Sequence, residues 1–383
     1  MPQNHGQRYY IEGPDTYQGS NGVVTSTTQP TLSTTGNKVW AYAPDRGNVV
    51  VSSTDLIKSA TLYDITGRLI AQSPNRVLSD NAQIYLLTCT PGEELWSKYG
   101  HTGIRVVDAK SDMDIVFNYG IFNFQTEHFY LKFLRGETYY QLGIESYVYF
   151  EKLYRHIGRK IYWQELNLTQ AQKQQIFDAL VVNYQPKNRY YLYNFVFDNC
   201  ATRPYYIIKN TLQDSITSSY VGYAGSPYRS TLSHYTGKNS WADFGINLIF
   251  GKDANQAMTS EQRLFLPEEL MNYMAEARLS DGTPLVKRQH IMAFPDAVVP
   301  WYTNCWLGIA LFAVAMALLS LWDRRRGHLS WGVDVALGVV YMVLLALVIF
   351  LTFFSCHPLV GFNWRLLLFP FIHVCTRLIY ILR

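Results

Sequence analysis

Few residues in this chain have side chains suited to covalent chemistry, and their settings differ. The stretch FVFDNCATRP, residues 195–204, puts Cys200 between an aromatic run and a polar turn that leads into a helix. A cysteine there has three readings: a small buried hydrophobe, half of a disulfide, or a nucleophile. A thiol attacks poorly until it is deprotonated, and a nearby imidazole or a helix N-terminus lowers its pKa. Asn199 or Asp198 can cap the helix predicted for ATRPYYIIKN, so Cys200 is expected at the positive end of that helix dipole. Pro204 near the helix start is tolerated there. Cys89 competes as nucleophile, but LLTCTPG places it at the end of a strand, where a small apolar residue usually packs. A Cys89–Cys200 disulfide is the remaining alternative.

A base must accompany the thiol. His101, His128, His156 and His234 lie in the same part of the chain. His101 stands between Gly100 and Thr102 at the head of the strand-like run HTGIRVVD, about 100 residues before Cys200. His156 reads as a solvated helix position, and His128 and His234 fall in loop-like stretches. A catalytic imidazole also needs a third group to hold its tautomer. If residues 101–107 and 114–120 pair around an AKSD turn, His101 lies opposite residues 118–120. Asn118 falls there and is the expected orienting residue; a slip of one residue would substitute Tyr119.

Three further cysteines, Cys305, Cys356 and Cys375, lie in or beside very apolar C-terminal segments. No CxxC occurs and no Cys/His grouping has zinc spacing, so neither a metal nor any other cofactor is expected. A formal net charge of +4, with no basic run interleaved with aromatics, argues against a nucleic-acid partner. Aromatic residues reach 15%, a composition that suits surfaces apolar at one end and wet at the other, or an ordinary Tyr-rich sheet.

The elements that must position these residues divide the chain into four parts. Residues 1–37 are rich in Ser, Thr, Gly, Gln and Asn, read as disordered or a linker, and lack the apolar core of a signal peptide. Residues 38–80 show short alternating runs broken by DRGN and ITGR, a small β-rich pattern. Residues 84–298 form the unit that holds the candidate site. In it IYLLTC, HTGIRVVD and MDIVFNYGIF predict strands, residues 145–158 and 169–184 predict helices with Thr169 as an N-cap, and NFVFDNCATRPYYIIKN predicts strand, turn and helix. Residues 301–383 predict membrane spans at about 304–322 and 334–356, with a third at 366–382. Residues 305–322 and 335–356 carry no charge, and the loop DRRRGHLS between them belongs in the cytoplasm by its arginines. The preceding domain is then outside the cytoplasm, in reach of phospholipid, lipoproteins and peptidoglycan.

Two resemblances add to this reading. ATLYDITGRLIAQS resembles the β-sandwich sorting domain that closes type IX secreted proteins, although here it stands near the start of the chain. A His at a strand head about 100 residues before an NC at a helix start resembles the permuted papain-like arrangement. NlpC-type hydrolases and lecithin:retinol acyltransferase-like enzymes share that arrangement. More specifically, LLTCTPGEELWSKYGHTGIRV, DIVFNYGIFNF, LNLT, PKNRYYLYNFVFDNCATRP and DFGINLIFG together resemble the Bacteroides-type lipoprotein N-acyltransferase (Lnb) family. The similarity covers about residues 84–365, and the tail after Leu368 is short against that family's membrane region.

The resemblance implies an α+β fold, a permuted papain-like periplasmic domain followed by transmembrane helices in the inner membrane. It implies Cys200 as nucleophile and His101 as its base. A phospholipid would be the acyl donor and a lipoprotein's N-terminal cysteine amine the acceptor, with the acyl chain carried as a thioester. Arg203, one turn into the helix, is expected to meet a phosphate head group or to form a structural ion pair; Tyr119 is a second substrate-binding candidate. A peptidoglycan amidase or peptidase of the NlpC type, or a non-catalytic membrane-anchored binding module, are the alternatives.

Overall fold

The computed structural model describes residues 39–45, 48–53, 61–63, 69–72, 77–213, 216–292, 304–328 and 330–364. Residues 1–37, the third apolar run at 366–382, and Trp301 and Tyr302, which suit interfacial anchoring, lie outside the described residues. The first elements are two antiparallel hairpins, β1 (Val39–Asp45) with β2 (Asn48–Ser53) and β3 (Thr61–Tyr63) with β4 (Leu69–Gln72). They are the β-rich part announced by the alternating runs.

Next comes β5 (Gln83–Cys89), buried at every position after Gln83, which is why IYLLTC reads as one apolar run and not as an alternation. It is followed by β6 (His101–Asp108), β7 (Met113–Ile121), helix α1 (Phe129–Arg135), β8 (Tyr139–Ser146), α2 (Tyr147–His156) and β9 (Ile161–Leu166). Then come α3 (Gln170–Tyr184), β10 (Tyr190–Leu192), α4 (Thr202–Thr211), the short β11 (Thr217–Ser218), α5 (Tyr228–Thr236) and α6 (Trp241–Ile249). The domain closes with α7 (Pro267–Ala275), β12 (Ala277–Arg278) and β13 (Val286–Met292). Seven strands form one antiparallel sheet in the order β10-β8-β7-β6-β5-β9-β13.

Alternation along these strands sends side chains to two different cores. On one face Leu86, Ile104, Phe117 and Tyr119 pack with Phe177 and Leu180 of α3, Ile208 of α4 and Leu270 of α7. On the other, Tyr85, Leu87, Cys89 and Val116 pack with Phe150 and Tyr154 of α2. Fully burying one such aromatic or aliphatic side chain stabilises the fold by roughly 1.5–3 kcal/mol.

Two expected elements differ from those observed. The helix predicted over 145–158 begins only at Tyr147; Glu145 and Ser146 continue β8, because Ser146 still pairs with Ile115 of β7. NFVF is not a strand. The Asn194 side chain accepts hydrogen bonds from the N–H groups of Val196 and Phe197, and this folds the segment into a turn. By contrast, α3 starts as its sequence predicts: the Thr169 hydroxyl accepts from the Gln172 N–H, and the Gln172 side chain accepts from the Thr169 N–H.

The C-terminal described segment holds α8 (Cys305–Arg326) and α9 (Trp331–Phe354), both long and apolar enough to cross a membrane. Asn304 caps α8, Gly327 ends it in a left-handed conformation, and three arginines occupy its last turn. Ser330 then donates twice to the Asp323 carboxylate, through its N–H and its hydroxyl, to turn the chain into α9.

Candidate active site

The approach to Cys200 is held by Asn199. Its Oδ1 accepts from the N–H groups of Ala201 and Thr202 at 2.8 and 2.9 Å, and its Nδ2 donates to the carbonyls of Phe195 and Phe265 at 2.8 Å each. One buried amide therefore caps the start of α4 and ties it to the segment before α7. Asn199→Ala is expected to strand these four buried partners, and to lower stability by about 2–4 kcal/mol in chemical denaturation. Unchanged stability would show that the cap is dispensable.

Cys200 sits two residues before the first helical residue, at the end of the sheet where β6 begins and β7 ends. The backbone N–H groups of Thr102 and of Cys200 itself face its sulfur. Gly120 adopts φ +89°, which strains any L side chain, and a Cβ there would stand 3.5 Å from the Cys200 Cβ. Thr102 follows His101, so the start of β6 presents an imidazole and a backbone donor at the same end of the sheet as the thiol.

His101 is oriented by a chain of partners. Its Nε2 lies 2.6 Å from Asn118 Oδ1, and Asn118 Nδ2 donates to Glu145 Oε1 at 2.8 Å. A carboxylate can only accept, so the amide nitrogen of Asn118 must face Glu145 and its oxygen must face His101. The proton of a neutral His101 then resides on Nε2, and Nδ1 keeps the lone pair. The register explains the pairing: Gly103 lies opposite Asn118, which makes Asn118 a diagonal neighbour of His101 on the same face.

Tyr119 takes the opposite face. It is fully buried and packs edge-to-face on Tyr191, so it offers no surface to a substrate. Arg203 is also engaged elsewhere. Its Nε and Nη2 bind both oxygens of Asp198 at 2.6 and 2.8 Å, and its guanidinium lies 3.6 Å from the Tyr191 ring centre. Of the two expectations for Arg203, the structure shows the ion pair. Among the weaker histidines, His128 is solvent-exposed beside Glu127.

Burial dominates the electrostatics. It pushes the Cys200 thiol up to about 11, against the lowering effect of the Thr102 and Cys200 N–H groups and of Arg159. It also pushes His101 down to about 4, reinforced by the positive charge of Arg159 and opposed by the hydrogen bond to Asn118. The helix dipole expected to activate Cys200 is thus outweighed by desolvation, and the resting pair is a neutral thiol and a neutral imidazole.

Two residues of this region, Glu145 and Arg159, were not singled out by their sequence context. Glu145 was hidden by the helical reading of its segment. Arg159 is buried, donates through Nε to the Thr90 carbonyl at 2.6 Å, and has no hydrogen-bond partner at Nη2. Cys89 lies directly opposite His101 in the sheet register and is buried against Tyr154; burial pushes its thiol up to about 12. Cys89 and Cys200 are both free thiols, so the disulfide alternative does not hold.

The class on structural grounds is an α+β domain followed by two helices long and apolar enough to cross a membrane. Comparison with family models identifies it further. Residues 73–231 match the Lnb N-terminal periplasmic domain and residues 301–383 match the Lnb transmembrane domain. The chain belongs to the Lnb family and is a membrane protein with a periplasmic domain. No curated protein and no solved structure matched the chain.

Proposed function

We propose that this chain is a multi-pass inner-membrane thiol acyltransferase that moves a fatty acyl chain from phospholipid to the N-terminal cysteine amine of lipoproteins. The observation that supports the reading is the Cys200 sulfur facing the Thr102 N–H at the head of β6, one residue along the chain from His101, whose tautomer is dictated by Asn118 and Glu145. The periplasmic domain belongs, on this reading, to the permuted papain-like enzymes.

On this reading the acyl chain moves in two transfers. Cys200 attacks the carbonyl carbon of a phospholipid ester while His101 Nδ1 takes the thiol proton. The backbone N–H groups of Thr102 and Cys200 face the sulfur, and on this reading they stabilise the oxyanion that forms on the carbonyl bonded to it. Collapse breaks the ester C–O bond, and the imidazolium gives its proton to the departing alkoxide. The acyl chain is now a thioester on Cys200. The lipoprotein's free α-amine attacks this thioester, His101 takes a proton from the amine, and the C–S bond breaks. Returning that proton to sulfur restores the neutral pair.

The charge of Arg159 disfavours imidazolium at His101, which makes that imidazolium a stronger acid toward the leaving alkoxide. The base must be neutral to act, so kcat/KM is expected to fall only as pH drops through about 4, and not near the ordinary histidine value. In Arg159→Met the acid limb is expected to move up toward the ordinary value, with Arg159→Lys nearer the native profile. Identical acid limbs in all three proteins would remove Arg159 from this role. Stability carries the same sign. The unfolded chain protonates His101 first, so the contribution of its neutral form is full above about pH 6.5 and is lost as pH falls toward about 4.

The function is tested by expressing the native chain and Cys200→Ala in cells that lack their own lipoprotein N-acyltransferase. Mass spectrometry of lipoprotein N-termini should find N-acylated cysteine with the native chain and none with the variant. Altered muropeptides with unmodified lipoproteins would establish the NlpC-type hydrolase reading instead. Indistinguishable behaviour of the two proteins in both assays would leave a binding role.

A further inference from the structure

We propose that the catalytic end of the periplasmic domain rests in the outer surface of the bilayer, through an apolar rim formed by the loop before β6, the segment after β7, and α6. The inference rests on α8 and α9 crossing the membrane, and does not depend on the acyl-transfer reading.

The position of the spans selects this end of the sheet. Consecutive antiparallel helices place the start of α8 and the end of α9 on the same side of the bilayer. The end of α9 meets α1: the Cys356 N–H donates to the Arg135 carbonyl at 2.8 Å, and His357 Nε2 contacts the Phe133 carbonyl. A continuous run of ring contacts continues from there to the loop before His101. His357 touches Phe133, Phe133 touches Phe129, Phe129 touches Phe124 and Phe124 touches Trp96, with centroid separations of 5.6, 6.1, 5.0 and 5.9 Å. Trp96 lies in the loop that delivers His101, and Phe124 lies just beyond the end of β7.

The other anchor is α6. Asn239, just before it, accepts from Trp306 Nε1 at 3.1 Å, and the Leu248 carbonyl near its end accepts from Asn363 Nδ2 at 2.8 Å. This short helix therefore bridges the start of α8 and the segment after α9. Its sequence, WADFGINLI, is mostly apolar, yet none of its residues is buried.

Exposure completes the argument. Tyr130 is 76% exposed and Phe244 44%, on the two helices that meet the spans, and Trp96 at 62% and Phe124 at 53% stand at the far end of the ring run. An apolar aromatic collar at this level is what the interface between water and lipid favours. The far end of the sheet differs: Ser79 binds Asp108 at the other end of β6, about 23 Å from His101 along the strand. Val77 beside it is 81% exposed and serves as an apolar control away from the membrane.

The test uses the full chain carrying Cys200→Ala, so that catalysis is irrelevant, in vesicles of phosphatidylethanolamine and phosphatidylglycerol. The photoreactive residue p-benzoylphenylalanine is placed at position 96, 124, 130, 244 or 77 in turn, and lipid adducts are quantified by mass spectrometry after irradiation. The expected result is lipid adducts at the first four positions at least about fivefold above position 77. Adduct yields at 96 and 124 no higher than at 77, or cross-links mainly between copies of the chain, would overturn the proposal. Adducts at 244 alone would overturn contact between lipid and the mouth of the site.

Discussion

Cys200→Ala is expected to lower acyl transfer by the full chain by at least about 10³-fold, to the level of uncatalysed aminolysis. The variant should keep native stability, because the groups that hold this turn belong to Asn199, and they do not involve the sulfur. Loss of activity with an intact fold separates a nucleophile from a packing residue. Cys200→Ser is the sharper companion. A hydroxyl is a far weaker acid than a thiol, and the environment of Cys200 already disfavours the anion by burial. Serine should therefore rescue little, even though it fits the space. Substantial activity in Cys200→Ala, measured as N-acylated peptide formed from phospholipid, would move the chemistry to another group. Cys89 is the obvious contender, because it lies across from His101 in the sheet.

The second large effect is expected at His101. Replacing it with Ala removes the proton acceptor and the proton donor together, and a positioned acid–base group contributes roughly 10²–10⁴-fold. Asn118→Ala should produce a smaller loss of the same kind, since it frees the imidazole to adopt the wrong tautomer and leaves Glu145 without one of its donors. The readout that separates the two is the pH profile. His101→Ala should abolish the acid limb, whereas Asn118→Ala should keep one and move it to still lower pH, because the hydrogen bond that raises the His101 pKa is gone. An unchanged profile in both variants would remove His101 as the base.

The candidate site was legible where a residue type and its local pattern made the same statement. His101 stood at a strand head, and the AKSD turn fixed a hairpin whose register selects Asn118 over Tyr119. Thr169 announced its helix through a capping box, and the two long apolar runs announced α8 and α9 by length alone. What stayed hidden depends on contacts between distant segments. Glu145 is invisible as a partner until β8 pairs with β7, and its neighbours YVYFEKLY read as helix, which drew the boundary two residues early. Arg159 looks like any loop arginine after a helix; only the fold buries it beside the thiols. The helix-dipole argument for Cys200 named a real effect but could not weigh it, because the burial that overrides it is a property of the packed sheet and helices. Arg203 shows the converse. Its partner Asp198 lies five residues earlier in the same motif, close enough for the ion pair to be expected from sequence.

The central claim is that Cys200 itself accepts the acyl chain. The direct measurement is intact-protein mass spectrometry of the full chain incubated with phospholipid in the absence of any amine acceptor. The account predicts a mass increase of one acyl group, mapped to the peptide containing Cys200, released by neutral hydroxylamine and absent from Cys200→Ala. An adduct on Cys89, or N-acylated product formed on adding a lipoprotein peptide with no acyl-enzyme and no loss in Cys200→Ala, would contradict it.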